Sequence, residues 1–248
     1  GLIERLEGNW QDSGGELSGF AAKGRVVGLE LAPQTAEQGM RPGFGGADID
    51  FDFTRQGGRA RVAVRQGRVD APGLFEDPLI ELEQLSGDVQ WKMDGPHTSL
   101  TISDLHFGNA DVQGVAQLKW QTDATTPLPG LIDLQGNLSR AEARRVFRYL
   151  PLPLSAQVRD YVRDAISTGT ATQVRFKVKG ALQDFPYTAP KSGEFRITAN
   201  LQDVDYAYVP TTNPKPDGNT PSWPALSGLD GELVIDHTSL QVRGARSK

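Results

Sequence analysis

Asp48, Asp50 and Asp52 have the one-three-five spacing of a calcium loop, in which carboxylate oxygens converge on a hard cation. The rest of such a loop is missing. Apolar residues intervene, Phe53 holds the sixth place where glycine must turn the chain, and Arg59 holds the twelfth, where glutamate closes the coordination sphere. The series reads instead as the wet face of a strand. His97, His106 and His237 lack helical ligand spacing with an acid near by, and are read as turn residues. Neither G-x-S-x-G, a P-loop nor a dinucleotide glycine cluster occurs, and Gly45-Gly46 has no helix after it. Asn137-Leu138-Ser139 matches a glycosylation sequon, but Ser139 is better read as a helix cap. The many Asp and Glu fall at strand exteriors and turns, which leaves a paired-acid glycosidase only as a remote alternative. No catalytic residue, metal site or cofactor is assigned. Arg144, Arg145, Arg148, Arg159 and Arg163 make one stretch basic, either a solvated helix face or a contact for acidic lipid headgroups.

Composition narrows the classes further. A net charge of −5, from 26 basic and 31 acidic residues, argues against nucleic acid as a partner, since no basic domain is present to neutralise phosphates. The absence of cysteine removes disulfides, thiolate metal sites and cysteine nucleophiles, and suits an oxidising compartment. No window approaches the ~18 apolar residues that cross a bilayer. Hydrophobic residues make up 38% before the 28 glycines are counted, which is ordinary for a folded chain. The sequence opens at Gly1 without methionine and closes inside a strand pattern, so a fragment or processed chain is expected.

The elements that position these residues are mostly strands. Ala47 to Phe53 alternates Ile49, Phe51 and Phe53 with the three aspartates, and the Gln56-Gly57-Gly58 turn leads into a return strand carrying Val62 and Val64. Further strands are expected at Phe20 to Leu31, Leu79 to Leu85, Gly87 to Met93, Thr98 to Phe107, Val115 to Trp120 and Leu131 to Leu138, then at Thr172 to Lys179, Gly193 to Leu201, Val204 to Val209, Gly231 to Asp236 and Ser239 to Arg243. Gln11 to Gly19, Ala32 to Gly46 and Pro210 to Pro224 read as turns or loops. His97-Thr98-Ser99-Leu100 recurs as His237-Thr238-Ser239-Leu240, which suggests a repeated hairpin.

Only residues 139–187 break the pattern. Ser139 and Glu142 form a capping-box signature, so a helix is expected from there to Pro151, with Val146, Phe147 and Leu150 on one face. Ser155 is the next N-cap, and Val158, Tyr161, Val162 and Ile166 form a second stripe closing at Gly169. So many one-sided strands require either a closed sandwich or a curved trough whose apolar face is covered by acyl chains, and composition does not separate the two.

The Tyr149-Leu150-Pro151 turn, the amphipathic helix before Gly169, the charged strand to Gly180, and Phe185-Pro186-Tyr187 resemble the AsmA-like superfamily, YhdP branch. Arg41 to Phe44, Pro72 to Phe75, Leu85 to Trp91 and Trp223 to Leu226 with Gly228 and Gly231 extend the resemblance over most of the chain. What it implies is a mainly β fold: an elongated, curved, mostly antiparallel sheet forming a trough-like groove, with a short helical pair near residues 139–169. Residues 1–138 and 170–248 would be sheet segments of one continuous unit, and 139–169 a helical insertion. The implied role is a segment of a bridge-like protein carrying phospholipid through the periplasm from inner to outer membrane, with the full-length chain anchored in the inner membrane and other envelope proteins as further partners. On that resemblance the groove candidates are Ile49, Phe51, Phe53, Val62, Val64, Val89, Trp91, Leu100, Ile102, Val174, Phe176, Val178, Phe195, Ile197, Leu233 and Ile235, with Val146, Phe147, Tyr161, Val162 and Ile166 as a cap. The rival is a non-transporting β-sandwich scaffold or adhesion module that presents Pro210 to Pro224 to a protein.

Overall fold

A computed structural model describes residues 1–13, 16–34, 41–188, 191–210 and 225–248, without the side chains of 11–13 and 16–18. Among the described residues twelve strands follow one another in a single sheet: β1 Leu2–Ser13, β2 Glu16–Leu31, β3 Gly43–Thr54, β4 Gly57–Asp70, β5 Leu79–Asp94, β6 His97–Gly108, β7 Val112–Thr122, β8 Leu131–Glu142, β9 Ile166–Ala181, β10 Gly193–Tyr206, β11 Leu226–Asp236 and β12 Ser239–Arg246. Spatial order equals chain order and every pairing is antiparallel. β1 pairs only with β2 and β12 only with β11, and each strand's extensive contacts with other strands are with its sequence neighbours. The sheet therefore stays open, and the closed sandwich expected as the alternative is not formed. At 4.7–4.9 Å per strand, twelve strands span about 50 Å.

Residues in the left-handed region occur within strands, not only between them: Gly28, Gly46, Gln66, Asp104, Gln173, Asp203, Gly228 and Gly244 have φ between 49° and 76°. Register shifts accompany them, for example between Ile102 and Leu105 and between Leu201 and Val204. An extra residue bends its strand and increases the local twist. Repeated over so many strands, this curves the whole sheet.

These bulges also account for most departures from the expected elements. Ser86-Gly87 does not separate two strands; Gly87 is buried in the middle of β5, opposite the β6 bulge. Asp203 likewise bends β10 instead of ending it. Both ends of the turn expected at Gln11 to Gly19 belong to β1 and β2, and Gly43 to Gly46 of the expected loop belong to β3. His106 lies within β6, not in a turn. The two His-Thr-Ser-Leu copies are not equivalent: His97 pairs with Asp94 across Gly95-Pro96, whereas His237-Thr238 is itself the turn between Asp236 and Ser239. Of the expected Pro210 to Pro224 loop, 211–224 lie outside the described residues.

The capping box fails. Ser139 sits inside β8, where its Oγ donates to the Gln113 carbonyl at 3.2 Å, and the helical element that follows is a 3-10 turn, Ala143–Tyr149, without a side-chain cap. Strands on both sides of β8 hold this segment extended, which outweighs a local cap worth about 1 kcal/mol. Ser155 does cap the following helix, α1 Ala156–Ala165, accepting from the Val158 amide. That helix stops at Ala165, so Ile166 is the first residue of β9 and Gly169 lies inside that strand at φ 102°. At Gly169 a Cβ would come 2.5 Å from the Val204 Cα, so this glycine permits close strand contact and caps no helix.

Candidate functional site

Residues directly opposite on antiparallel strands share a face, so the register assigns each side chain. One line of partners runs Leu6, Gly24, Phe51, Ala60, Val89, Ile102, Leu118, Leu134, Val178, Phe195, across ten strands without a polar side chain. Beside it Phe53, Gly58, Trp91, Leu100, Trp120 and Ile132 continue to Gly180 and Gly193. Val26, Ile49 and Val62 form a third line. Val64, Leu85, Phe107, Gly114, Leu138 and Val174 form a fourth. Phe176, Ile197, Ile235 and Leu240, with Leu233 and Val242 beside them, carry the same surface to β12.

All sixteen groove candidates read from the sequence lie on this one face. Val64 and Val174 are buried and the others are half-buried. Phe20, Phe51, Phe53 and Trp91 form an aromatic patch whose neighbouring ring centroids are 5.5 to 6.2 Å apart. The candidate list omitted Leu118, Trp120, Ile132 and Leu134, although their strands carry the same alternation that selected the rest. The apolar surface reaches both edges: Leu6 is 60% exposed, Trp10 75% and Leu240 63%.

The opposite face is ionic. Asp48 accepts from the Gly28 amide at 2.9 Å, Asp50 pairs with Arg25 at 3.0 Å and Asp52 with Arg59 at 3.1 Å, so the three aspartates hold different partners and do not converge on one point. Arg61–Asp88, Lys177–Glu194 and Arg196–Asp236 continue the pattern at 2.9, 2.7 and 3.2 Å. A hollow on this side is lined mainly by polar residues, among them Gln117, Gln135, Arg175, Lys177, Glu194 and Arg196, with Val115, Ala116 and Phe176 also at its wall. A twisted sheet is hollow on different sides at different places, and this hollow offers mostly hydrogen-bonding groups. Among the described residues, no group of three or more His, Asp or Glu is placed to hold a metal ion.

The 3-10 turn and α1 form a strap at one end of the strands. Arg148 donates to Asp77 and Asp111, both at 2.8 Å, and the Tyr149 hydroxyl donates to Asp111 at 3.1 Å while accepting from Asn109 at 3.0 Å. Burial raises the Tyr149 phenol above its ordinary pKa, so it stays a donor. Phe75 meets Pro151 and the Tyr149 ring, and Arg159 and Arg163 reach Glu76 at 3.4 and 3.7 Å. At the far end Ala143 packs with Val204 and Leu229, and Tyr161 bonds Tyr206, whose pKa is raised first by burial and then by that bond. The basic stretch is therefore largely tied to acids. Of the cap candidates, Val146 is exposed, Phe147, Tyr161 and Val162 are half-buried within the strap, and Ile166 belongs to β9.

No helix among the described residues is long and apolar enough to cross a membrane. No curated protein and no solved structure matches the chain. An open antiparallel sheet with one apolar face, bearing the motifs noted above, matches over residues 1–248 the family model described as YhdP protein, and the chain belongs to that family.

Proposed function

We propose that the chain is a segment of a bridge-like lipid-transfer protein, whose apolar face covers phospholipid acyl chains while headgroups remain in water. The observation that carries this reading is the line from Leu6 to Phe195, ten strands without a polar side chain; among the described residues no second sheet lies over it, and only Phe185 packs on its β10 end. Leaving such a surface wet costs about 25 cal/mol per Å², and contiguous apolar patches beyond a few hundred Å² mark binding surfaces. A discrete ligand would need a closed pocket; a stripe that continues to both edges suits a chain-like ligand that slides. Movement across the strands keeps hydrocarbon on hydrocarbon throughout, so no polar barrier arises. The mechanism is passive, with no catalytic residue.

On this reading the strands on either side of the strap form one continuous unit, with the helices as an insertion that closes one rim of the trough. Family membership supports a periplasmic setting, transport from inner to outer membrane, a full-length chain anchored in the inner membrane, and contacts with other envelope proteins. The test is native mass spectrometry of the purified chain with lipid extraction. Co-purifying phospholipid, lost in a folded Phe51→Asp/Phe176→Asp variant, is expected. A folded, lipid-free protein that takes up no added phospholipid would sink the proposal and move the scaffold reading ahead, without the sandwich it assumed.

A further inference from the structure

Tyr187 is completely buried although it lies in the connection between β9 and β10, where side chains are ordinarily exposed. It rests on the apolar face, on a bare piece of floor: Gly180 and Gly193 are directly paired, and a Cβ on either would come within 2.9 Å or less of the Tyr187 ring. Phe185 stands against it with ring centroids 5.7 Å apart and meets Phe195 of the floor at 6.0 Å. The segment thus folds back over the stripe near the row containing Trp91, Trp120 and Ile132.

An aromatic ring that shields paired glycines can be a purely structural device. The hydroxyl argues otherwise. Among the described residues the Tyr187 phenol oxygen is buried without a hydrogen-bond partner, and burial raises its pKa, followed by the nearby Asp184 carboxylate, so it remains a protonated donor with no described group to donate to. Phenylalanine would fill the site without that unpaired group, whose burial is unfavourable in the closed position and relieved as soon as the ring swings into water.

We propose that the Phe185 to Tyr187 segment is a displaceable plug on the lipid path, and that a phospholipid acyl chain replaces the two rings on the Gly180–Gly193 floor. This rests on the lipid-groove reading above. With the plug seated, the stripe is interrupted at β9 and β10; with it displaced, the floor joins Ile132 on one side to Phe195 on the other. The missing side chains at 180 and 193 leave the space.

The test measures uptake of fluorescent phosphatidylethanolamine by the purified chain from vesicles of phosphatidylethanolamine and phosphatidylglycerol, alongside thermal melting. Tyr187→Phe removes the unpaired donor and favours the seated plug, so uptake should slow by about fivefold or more while the melting temperature rises. Tyr187→Ala should accelerate uptake; if that variant does not fold, Phe185→Ser, which leaves Tyr187 on its glycines, should accelerate it instead. Uptake equal to wild type in Tyr187→Phe, with raised melting, makes the ring a structural shield only and overturns the plug. Slower uptake in a folded Tyr187→Ala or Phe185→Ser overturns it as well. Absence of uptake by the wild-type chain overturns the groove itself, a failure distinct from the other two.

Discussion

On β3, Phe51 and Phe53 project to one side of the sheet and Asp50 and Asp52 to the other, one residue apart along the same backbone. The aromatic side meets aliphatic and aromatic partners across ten strands and stays half-exposed along most of its length, whereas the acidic side meets Arg25 and Arg59 and is satisfied locally. Such exposed ion pairs contribute about 0–1 kcal/mol each and are screened by salt. The apolar side has no comparable way to satisfy itself with its own residues. The contrast teaches that an open sheet can be stable through its ladder and its ionic face while leaving the other face available to a ligand.

The largest effect should follow from inverting that contrast. Phe51→Asp/Phe176→Asp is expected to reduce bound phospholipid to background in native mass spectra, while Arg59→Ala/Lys177→Ala on the opposite face leaves occupancy unchanged. Equal losses from both double variants would break the distinction between the faces. Next comes the strap: Arg148→Ala removes a partner of both Asp77 and the largely buried Asp111, and should cost about 2–3 kcal/mol in urea unfolding, with faster proteolysis between Ala143 and Ala165. Val64→Ala, at a site 1% exposed, should cost about 2 kcal/mol. Arg59→Ala alone should cost less than about 1 kcal/mol, falling towards zero in high salt.

The smallest effect concerns pH. The His237 ring contacts the Gly193 carbonyl at 2.9 Å and Asp236 at 2.6 Å, and its pKa is raised above 6.5, first by the carbonyl and then by Asp236, with Glu194 adding to it. A folded pKa above the unfolded one means that the contact stabilises fully below about pH 6.5 and is lost as pH rises through the raised value. Hydrogen exchange of the His237 amide, which bonds the Phe195 carbonyl, should therefore quicken above its intrinsic pH dependence across that window. His237→Gln should abolish the excess.

The common face of the candidate residues was legible because alternation is a local signal. Each of the sixteen candidates stands two residues from another apolar position or opposite one, and a strand's pleat places such residues on one face whatever its neighbours. Ile166 was misassigned because an apolar residue three or four positions from others fits a helix stripe as well as the first residue of a strand. Ser139 was misassigned because a capping box is a weak local preference that two neighbouring strands override. Nothing in the sequence marked Tyr187 as buried: Phe-Pro-Tyr between two strands looks like a surface turn, and its burial depends on Gly180 and Gly193 meeting across the ladder.

The sequence alone thus determined where most of the strands lie and which side of each is apolar, since both follow from the two-residue period of extended backbone. Tertiary structure decided how long the strands run, because glycines and polar residues in left-handed conformation become bulges inside a strand or turns between strands only once partners are in register. It alone decided that the sheet remains open, that the strap is fastened to the β4–β5 connection through Glu76 and Asp77, and that Tyr187 lies over bare backbone. Those outcomes rest on residues far apart in the chain meeting, which no local pattern encodes.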